Sequence, residues 1–100
     1  MKPGPRDQKH GIRICGAELR ELQRHAGAVA ESFGLDRRIL AYKGKRAIGL
    51  YRWDLECLLD VIELALADKR EYPSETSEEY LALARLLARL RHEYEAHYGD

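Results

Sequence analysis

The cations between Arg37 and Arg52 make this stretch the most uneven part of the chain in charge. It contains no acidic residue, whereas the whole chain balances 17 Lys and Arg against 17 Asp and Glu. Lys and Arg side chains neutralise phosphates, and aromatic faces between them can stack on bases. The stretch therefore predicts a loop that contacts DNA or RNA, with contacts from Arg37, Arg38, Lys43, Lys45, Arg46, Arg52 and Tyr42.

Three carboxylates on one side of the following predicted helix offer another interpretation of these charges. They belong to Glu56, Asp60 and Glu63. If they face the loop, its cations are neutralised within the protein. An adaptor or inhibitor that binds other proteins through its helical surfaces is then the better hypothesis. If they face away, the loop is free to meet phosphate.

Residues 26–45 carry a second pattern that points to nucleic acid. The small, turn-glycine and buried aliphatic positions of a helix-turn-helix are filled by Ala30, Gly34 and Leu40, and its other apolar positions by Val29, Phe33 and Leu35. The segment thus resembles that motif, which implies that Arg37 and Arg38 begin the recognition helix. The sequence departs from it at Lys43 and Gly44, where a continuing helix needs a buried aliphatic residue.

His92 and His97 resemble the histidine pair of a zinc protease, but their spacing is wrong. They are five positions apart, which places them about 140° apart on a helix of ~3.6 residues per turn. The protease motif needs a spacing of four. We expect an exposed helix end on which Glu93 pairs with His97. A wider site would need long-range convergence with the remaining candidate ligands, His10, His25, Cys15 and Cys57.

Catalytic motifs are missing from the sequence. It contains no GxSxG, no phosphate-binding P-loop and no GxGxxG. We therefore expect a non-enzymatic protein with no catalytic residue, no metal site and no cofactor. The zero net charge also excludes a uniformly basic, histone-like binder of nucleic acid.

Cellular location is predicted from what the sequence lacks. The first eleven residues contain no apolar signal-peptide core, and no apolar run approaches ~20 residues. Cys15 and Cys57 form no CxxC pair, and each lies beside apolar residues. We expect two buried free thiols in a cytoplasmic protein that has no membrane contact.

Hydrophobic periodicity predicts three amphipathic helices, over residues 17–33, 54–70 and 77–97. The second helix is apolar on nearly every side, so it should be surrounded as the central core element. Asp54 is its predicted N-cap, and Thr76 with Glu79 fits a capping box for the third helix. The short connection between the last two helices predicts an antiparallel helical hairpin.

Residues 35–51 admit two structures. Two short apolar runs around Gly44 favour a β-hairpin. The alternative is a short helix over residues 37–43, capped by Asp36 and ended by Gly44. In either case we expect four aliphatic side chains to pack on the central helix, from Ile39, Leu40, Ile48 and Leu50.

The predicted fold is mainly α, with three amphipathic helices and a short β-hairpin or irregular basic loop between the first two. Residues 1–11 are a flexible arm, and residues 12–100 are a single domain. The leading function is a small nucleic-acid-associated or regulatory protein. The alternative is a protein-interaction adaptor or inhibitor, and a homodimer would cover leucines off the main helical seams, such as Leu81 and Leu86.

Overall fold

The computed structural model describes residues 9–29 and 34–98. This part of the chain is mainly helical, as predicted. Its elements are β1 (His10–Ile12), α1 (Gly16–Arg24), a 3-10 turn (Ala26–Val29), α2 (Leu35–Ala41), β2 (Ile48–Leu50), α3 (Arg52–Ala67) and α4 (Glu78–Tyr98).

The hydrophobic core lies where α3 packs against α4, with α1 and α2 closing it. Leu55, Leu58 and Ile62 recur on one face of α3 and are fully buried. They meet a matching stripe on α4 made of Leu83, Leu86 and Leu90. Contacts from Glu56 to Tyr94 and from Glu63 to Arg91 run in opposite directions along the two helices. The predicted antiparallel pair is therefore confirmed.

The prediction that the central helix is surrounded is wrong. Leu64 lies opposite the buried stripe of α3 and has 73% of its surface exposed.

Leu40 on α2 is also 56% exposed, whereas its neighbour Ile39 is fully buried. A seven-residue helix such as α2 has only one face toward the core, so consecutive leucine and isoleucine cannot both be inside.

The first predicted helix is shorter than its periodicity suggested. α1 ends at Arg24, and the chain tightens into the 3-10 turn Ala26–Val29. Gly27 in this turn has a large backbone entropy to lose in a helix, which weakens the continuation. Residues 30–33 of the predicted helix lie outside the described residues.

The favoured β-hairpin over residues 35–51 is wrong, and the alternative short helix is closer. α2 follows Gly34, which adopts a left-handed conformation with φ of 80°. Asp36 lies within the first turn of α2 and is not its cap. β2 does form, but it pairs with a strand from far earlier in the chain.

The two strands form an antiparallel pair with the register His10 to Leu50, Gly11 to Gly49 and Ile12 to Ile48. His10 and Ile12 point inward, and Gly11 faces outward. His10 and Gly11, predicted to belong to a flexible arm, are thus part of the folded domain. Residues 1–8 of that arm lie outside the described residues.

The caps of the last two helices differ from the predicted ones. α3 is capped at Tyr51, and the Asp54 carboxylate accepts a hydrogen bond of 2.9 Å from the Tyr51 N–H. At α4, the Ser77 hydroxyl accepts from the Tyr80 N–H at 3.2 Å, so the cap is Ser77 and not Thr76. The cap lies three residues before the predicted one at α3 and one residue after it at α4.

The two cysteines are free thiols, but the expectation that both are buried is wrong. Cys15 is exposed because it occupies the N-cap of α1 at the surface. Cys57 is half-buried because it lies on the flank of α3, between the buried stripe and the outer face.

None of the described helices has the length and apolar character that crossing a membrane requires.

Candidate nucleic-acid interface

Two of the six predicted phosphate-binding cations are engaged by carboxylates. Arg38 pairs with the fully buried Asp54 at 2.8 Å and also donates to the Gly49 carbonyl oxygen at 3.1 Å. Arg52 lies 3.8 Å from Glu56, and its guanidinium stacks 5.2 Å from the ring centre of Tyr98. Both side chains hold elements of the fold together.

The other four cations are exposed, and none has a carboxylate partner within residues 9–29 and 34–98. Lys43, Lys45 and Arg46 lie on the loop between α2 and β2, and Arg37 lies on the outer side of α2. The charge asymmetry of the sequence therefore persists in the structure at these positions.

Gly44 fixes the loop that carries the lysines. Its φ of 77° is left-handed, and a β-carbon there would lie 3.1 Å from the Ile14 carbonyl oxygen and 3.2 Å from the Cys15 β-carbon. Arg13 donates from Nε to the Gly44 carbonyl oxygen at 3.2 Å. The loop is thus anchored to the segment before α1, and its neighbours Lys43 and Lys45 are turned toward solvent.

Tyr42 and Gln23 hold the two sides of the same loop. The Tyr42 hydroxyl accepts from the Ile14 N–H at 3.2 Å and donates to the Arg46 carbonyl oxygen. The Gln23 amide donates at 3.1 Å to the carbonyl oxygens of Ile39 and Tyr42 at the C-terminal end of α2. Tyr42, a predicted base-stacking residue, therefore has a structural role in its hydroxyl.

A shallow depression of about 600 Å³ lies beside the loop. Its lining includes Lys9, Arg38 and Arg46 together with the half-buried rings of Tyr42 and Tyr51, and Ala41 marks its edge on α2. The aliphatic part of Lys9 lies over Gly49, where a β-carbon would come within 2.3 Å of it.

Arg37 lies one helical turn before Ala41, so it belongs to the same side of the molecule. We call the surface formed by Lys9, Arg37, Lys43, Lys45 and Arg46 the cationic face. Lys9 was missed in the sequence because only the pairing of β1 with β2 brings it here.

The acidic line of α3 is directed mainly at α4. Glu63 pairs with Arg91, and Glu56 accepts a hydrogen bond of 3.1 Å from the Tyr94 hydroxyl. Of the predicted cations, only Arg52 pairs with this line among the described residues. Internal neutralisation therefore does not account for the cationic face.

The resemblance to a helix-turn-helix ends where the sequence departs from the motif. α2 begins directly after Gly34 but stops at Ala41, two residues before Lys43. A helix of seven residues is short for insertion into a major groove. Ala30 and Phe33, which support the resemblance, lie outside the described residues.

His10, Glu93 and His97 form a cluster that the sequence did not reveal. One ligand atom from each lies within 4.8 Å of the other two. The predicted pair of Glu93 and His97 is confirmed at 3.2 Å. His10 stacks on the His97 ring with 4.2 Å between centroids. The four-residue spacing of Glu93 and His97 was a usable signal, but His10 arrives through the strand pairing.

A second polar group, centred on Tyr72, is buried between α1 and the α3–α4 connection. The Tyr72 hydroxyl donates to the buried carboxylate of Glu21 at 2.8 Å and lies 2.8 Å from Nε2 of His25. Arg24 pairs with the same carboxylate at 2.7 Å. Burial, with the hydrogen bond to Glu21, raises the pKa of Tyr72. These groups satisfy one another and have a structural role.

No protein-family model, curated protein or solved structure matches the chain. Any functional assignment therefore depends on the chemistry of these side chains and on how the fold presents them.

Proposed function

We propose that the protein binds nucleic acid through the cationic face, as a small non-enzymatic protein of the cytoplasm. Lys43, Lys45 and Arg46 contact successive phosphates, with Arg37 and Lys9 extending the contact on either side. The observation that carries the proposal is the loop anchored at Gly44. It presents cations without carboxylate partners in the described part of a chain whose net charge is zero.

The shape of the face favours a polyanion over a small anion. Its cations come from the residue before β1, a helix and a loop, and only Lys9 and Arg46 among them line the shallow depression, so the five do not converge on one point. Such an arrangement suits a run of phosphates. Arg38 is not a phosphate contact in this proposal, because Asp54 and the Gly49 carbonyl already engage it.

Fluorescence anisotropy with labelled single-stranded DNA, duplex DNA and single-stranded RNA tests the proposal. The logarithm of affinity should fall linearly with the logarithm of salt concentration between about 50 and 200 mM. The double variant Lys43→Glu with Lys45→Glu should lower the affinity by at least about 100-fold and reduce that slope by about 2.

The matched control is Lys69→Glu with Arg70→Glu. Both side chains are exposed at the α3–α4 connection, and the change in net charge is the same. The control should bind more tightly than the loop variant by at least about tenfold. Equal losses in both variants, or no binding by the wild type to any of the three polymers at low salt, would contradict the proposal.

The alternative function is an adaptor or inhibitor that binds another protein, or a second copy of this chain, through a helical surface. The observation in its favour is Leu64, which is the most exposed large apolar side chain among the described residues. Sedimentation over a range of concentrations would detect a homodimer. If Leu64→Gln abolishes the homodimer and leaves nucleic-acid binding unchanged, the surface around Leu64 is an additional interface.

A further inference from the structure

We propose that His10, Glu93 and His97 bind a divalent transition-metal ion, for which Zn²⁺ is the best match. The proposal concerns residues that do not belong to the cationic face. It also revises the expectation from the sequence that the protein has no metal site.

The donor set selects the class of metal. Two imidazole nitrogens and one carboxylate oxygen are the ligands of a borderline ion such as Zn²⁺, whereas Mg²⁺ and Ca²⁺ prefer oxygen alone. Three protein ligands leave the fourth tetrahedral position for water or another small ligand.

The three ligand side chains are already grouped, but their ligand atoms are farther apart than in a metal-bound site. The three ligand atoms lie within 4.8 Å of one another. Ligands bonded to Zn²⁺ at about 2.0–2.2 Å in a tetrahedron are about 3.3 Å apart. A contraction of up to about 1.5 Å is needed. Glu93 and His97 can supply it, because their side chains are only partly buried, at 33% and 44% exposure.

His10 is the ligand that the fold holds in place. It is only 8% exposed, and the pairing of His10 with Leu50 fixes its backbone. The Tyr98 hydroxyl lies 2.6 Å from its Nε2 and orients the ring. A metal-bound histidine usually engages its other ring nitrogen in such a hydrogen bond.

Glu93 and His97 supply the matching half from one helix face. Residues four apart on α4 lie above one another, so the carboxylate and the imidazole point the same way. Their separation of 3.2 Å already brings an oxygen and a nitrogen donor together. A bound ion would therefore join the start of β1 to the last turns of α4.

Isothermal titration of the untagged protein with Zn²⁺ tests the site, and Co²⁺ reports its geometry through visible absorption typical of tetrahedral coordination. Wild-type protein should bind one equivalent. His97→Gln and Glu93→Gln should each bind at least about tenfold more weakly, which corresponds to about 1.4 kcal/mol. His10→Gln should do the same, and thermal unfolding without metal checks that it folds.

His92→Gln is the matched control, since His92 is an exposed histidine of the same helix outside the cluster. It should bind Zn²⁺ like the wild type. The proposal is overturned if wild-type protein binds no Zn²⁺, if His97→Gln binds as tightly as wild type, or if His92→Gln loses as much affinity as His97→Gln. Binding of nucleic acid does not enter this test, so each proposal can fail alone.

Discussion

Arg38 and Asp54 form an ion pair of 2.8 Å that joins α2 to the first turn of α3. The Asp54 carboxylate is fully buried and also accepts a hydrogen bond from the Tyr51 N–H. The pair therefore supports the start of α3, the helix that packs against α4. A guanidinium from the predicted nucleic-acid-binding set thus serves the fold.

Replacement of Arg38 by Ala should lower the free energy of unfolding by roughly 2–3 kcal/mol. The loss leaves a buried carboxylate without this cation, and it falls short of a fully buried pair because Arg38 keeps access to water. Urea denaturation measures the change. Arg37→Ala is the control one position away, and its exposed side chain should alter stability by less than about 0.5 kcal/mol. Equal effects of the two substitutions would contradict a structural role for Arg38.

Gly44→Ala should destabilise the protein by roughly 2 kcal/mol. The left-handed conformation costs an L-residue about 1–2 kcal/mol, and the added β-carbon would meet the Ile14 carbonyl oxygen at 3.1 Å. Thermal unfolding provides the measurement. Gly27→Ala introduces the same methyl group where nothing lies within 4 Å, and it should be neutral or slightly stabilising. A stable Gly44→Ala variant would mean that the loop is not anchored as described.

Stability should fall as the pH rises above about 10, in part because of Tyr72. Its pKa is raised in the folded protein, so above the ordinary tyrosine pKa of 10.0 the unfolded chain loses this proton first. The unfolded state then binds fewer protons than the folded state, and the free energy of unfolding decreases with pH. Well below pH 10, Tyr72 is protonated in both states and contributes no slope.

The pH effect is isolated by comparing wild type with Tyr72→Phe in denaturant titrations between pH 8 and about 11. The variant should be less stable at pH 8, by about 1–3 kcal/mol, because Glu21 loses a buried hydrogen-bond donor. The difference between the two proteins should narrow above pH 10. Tyr94→Phe, which removes an exposed hydroxyl, is the matched control for the loss of one tyrosine. Parallel curves for wild type and Tyr72→Phe would contradict the assignment.

Truncation of Ile62 should destabilise the protein much more than truncation of Leu64, although the two residues are only two positions apart on α3. Ile62→Ala removes a fully buried side chain and should cost about 2–5 kcal/mol. Leu64→Ala removes one that is mostly exposed and should cost less than about 0.5 kcal/mol. The two unfolding curves decide the matter, and a large loss in Leu64→Ala at high protein concentration alone would indicate a dimer interface.

The helical class and the antiparallel pair of α3 and α4 could be predicted because their signal is local. Leu55, Leu58 and Ile62 repeat at helical spacing over about two turns, and Pro73 marks the break that follows the helix. Their burial follows from periodicity alone, without knowledge of the partner.

The strands were missed for the opposite reason. β1 and β2 have three residues each, and the register of Ile12 with Ile48 depends on a contact 36 positions away. No local pattern of that length separates a strand from a loop. Every feature that depends on this pairing was consequently missed, including the place of Lys9 in the cationic face and the meeting of His10 with His97.

The candidate cations were found by composition, but their roles were not. The sequence shows six cations without an acid among them, yet Asp54 and Glu56 follow immediately and engage Arg38 and Arg52. Which cation meets which carboxylate depends on how α2 turns against α3, and residue spacing does not encode that geometry.

The contact between His10 and Tyr98 spans 88 positions of the chain. At a synthesis rate of about 5–20 residues per second, the ribosome needs roughly 4–18 s to make the intervening residues. During that interval α4 has not been synthesised, so His10 lacks its contacts with His97 and Tyr98. The contact between β1 and α4 therefore forms late in synthesis. It is the step at which a chaperone would have the most time to act.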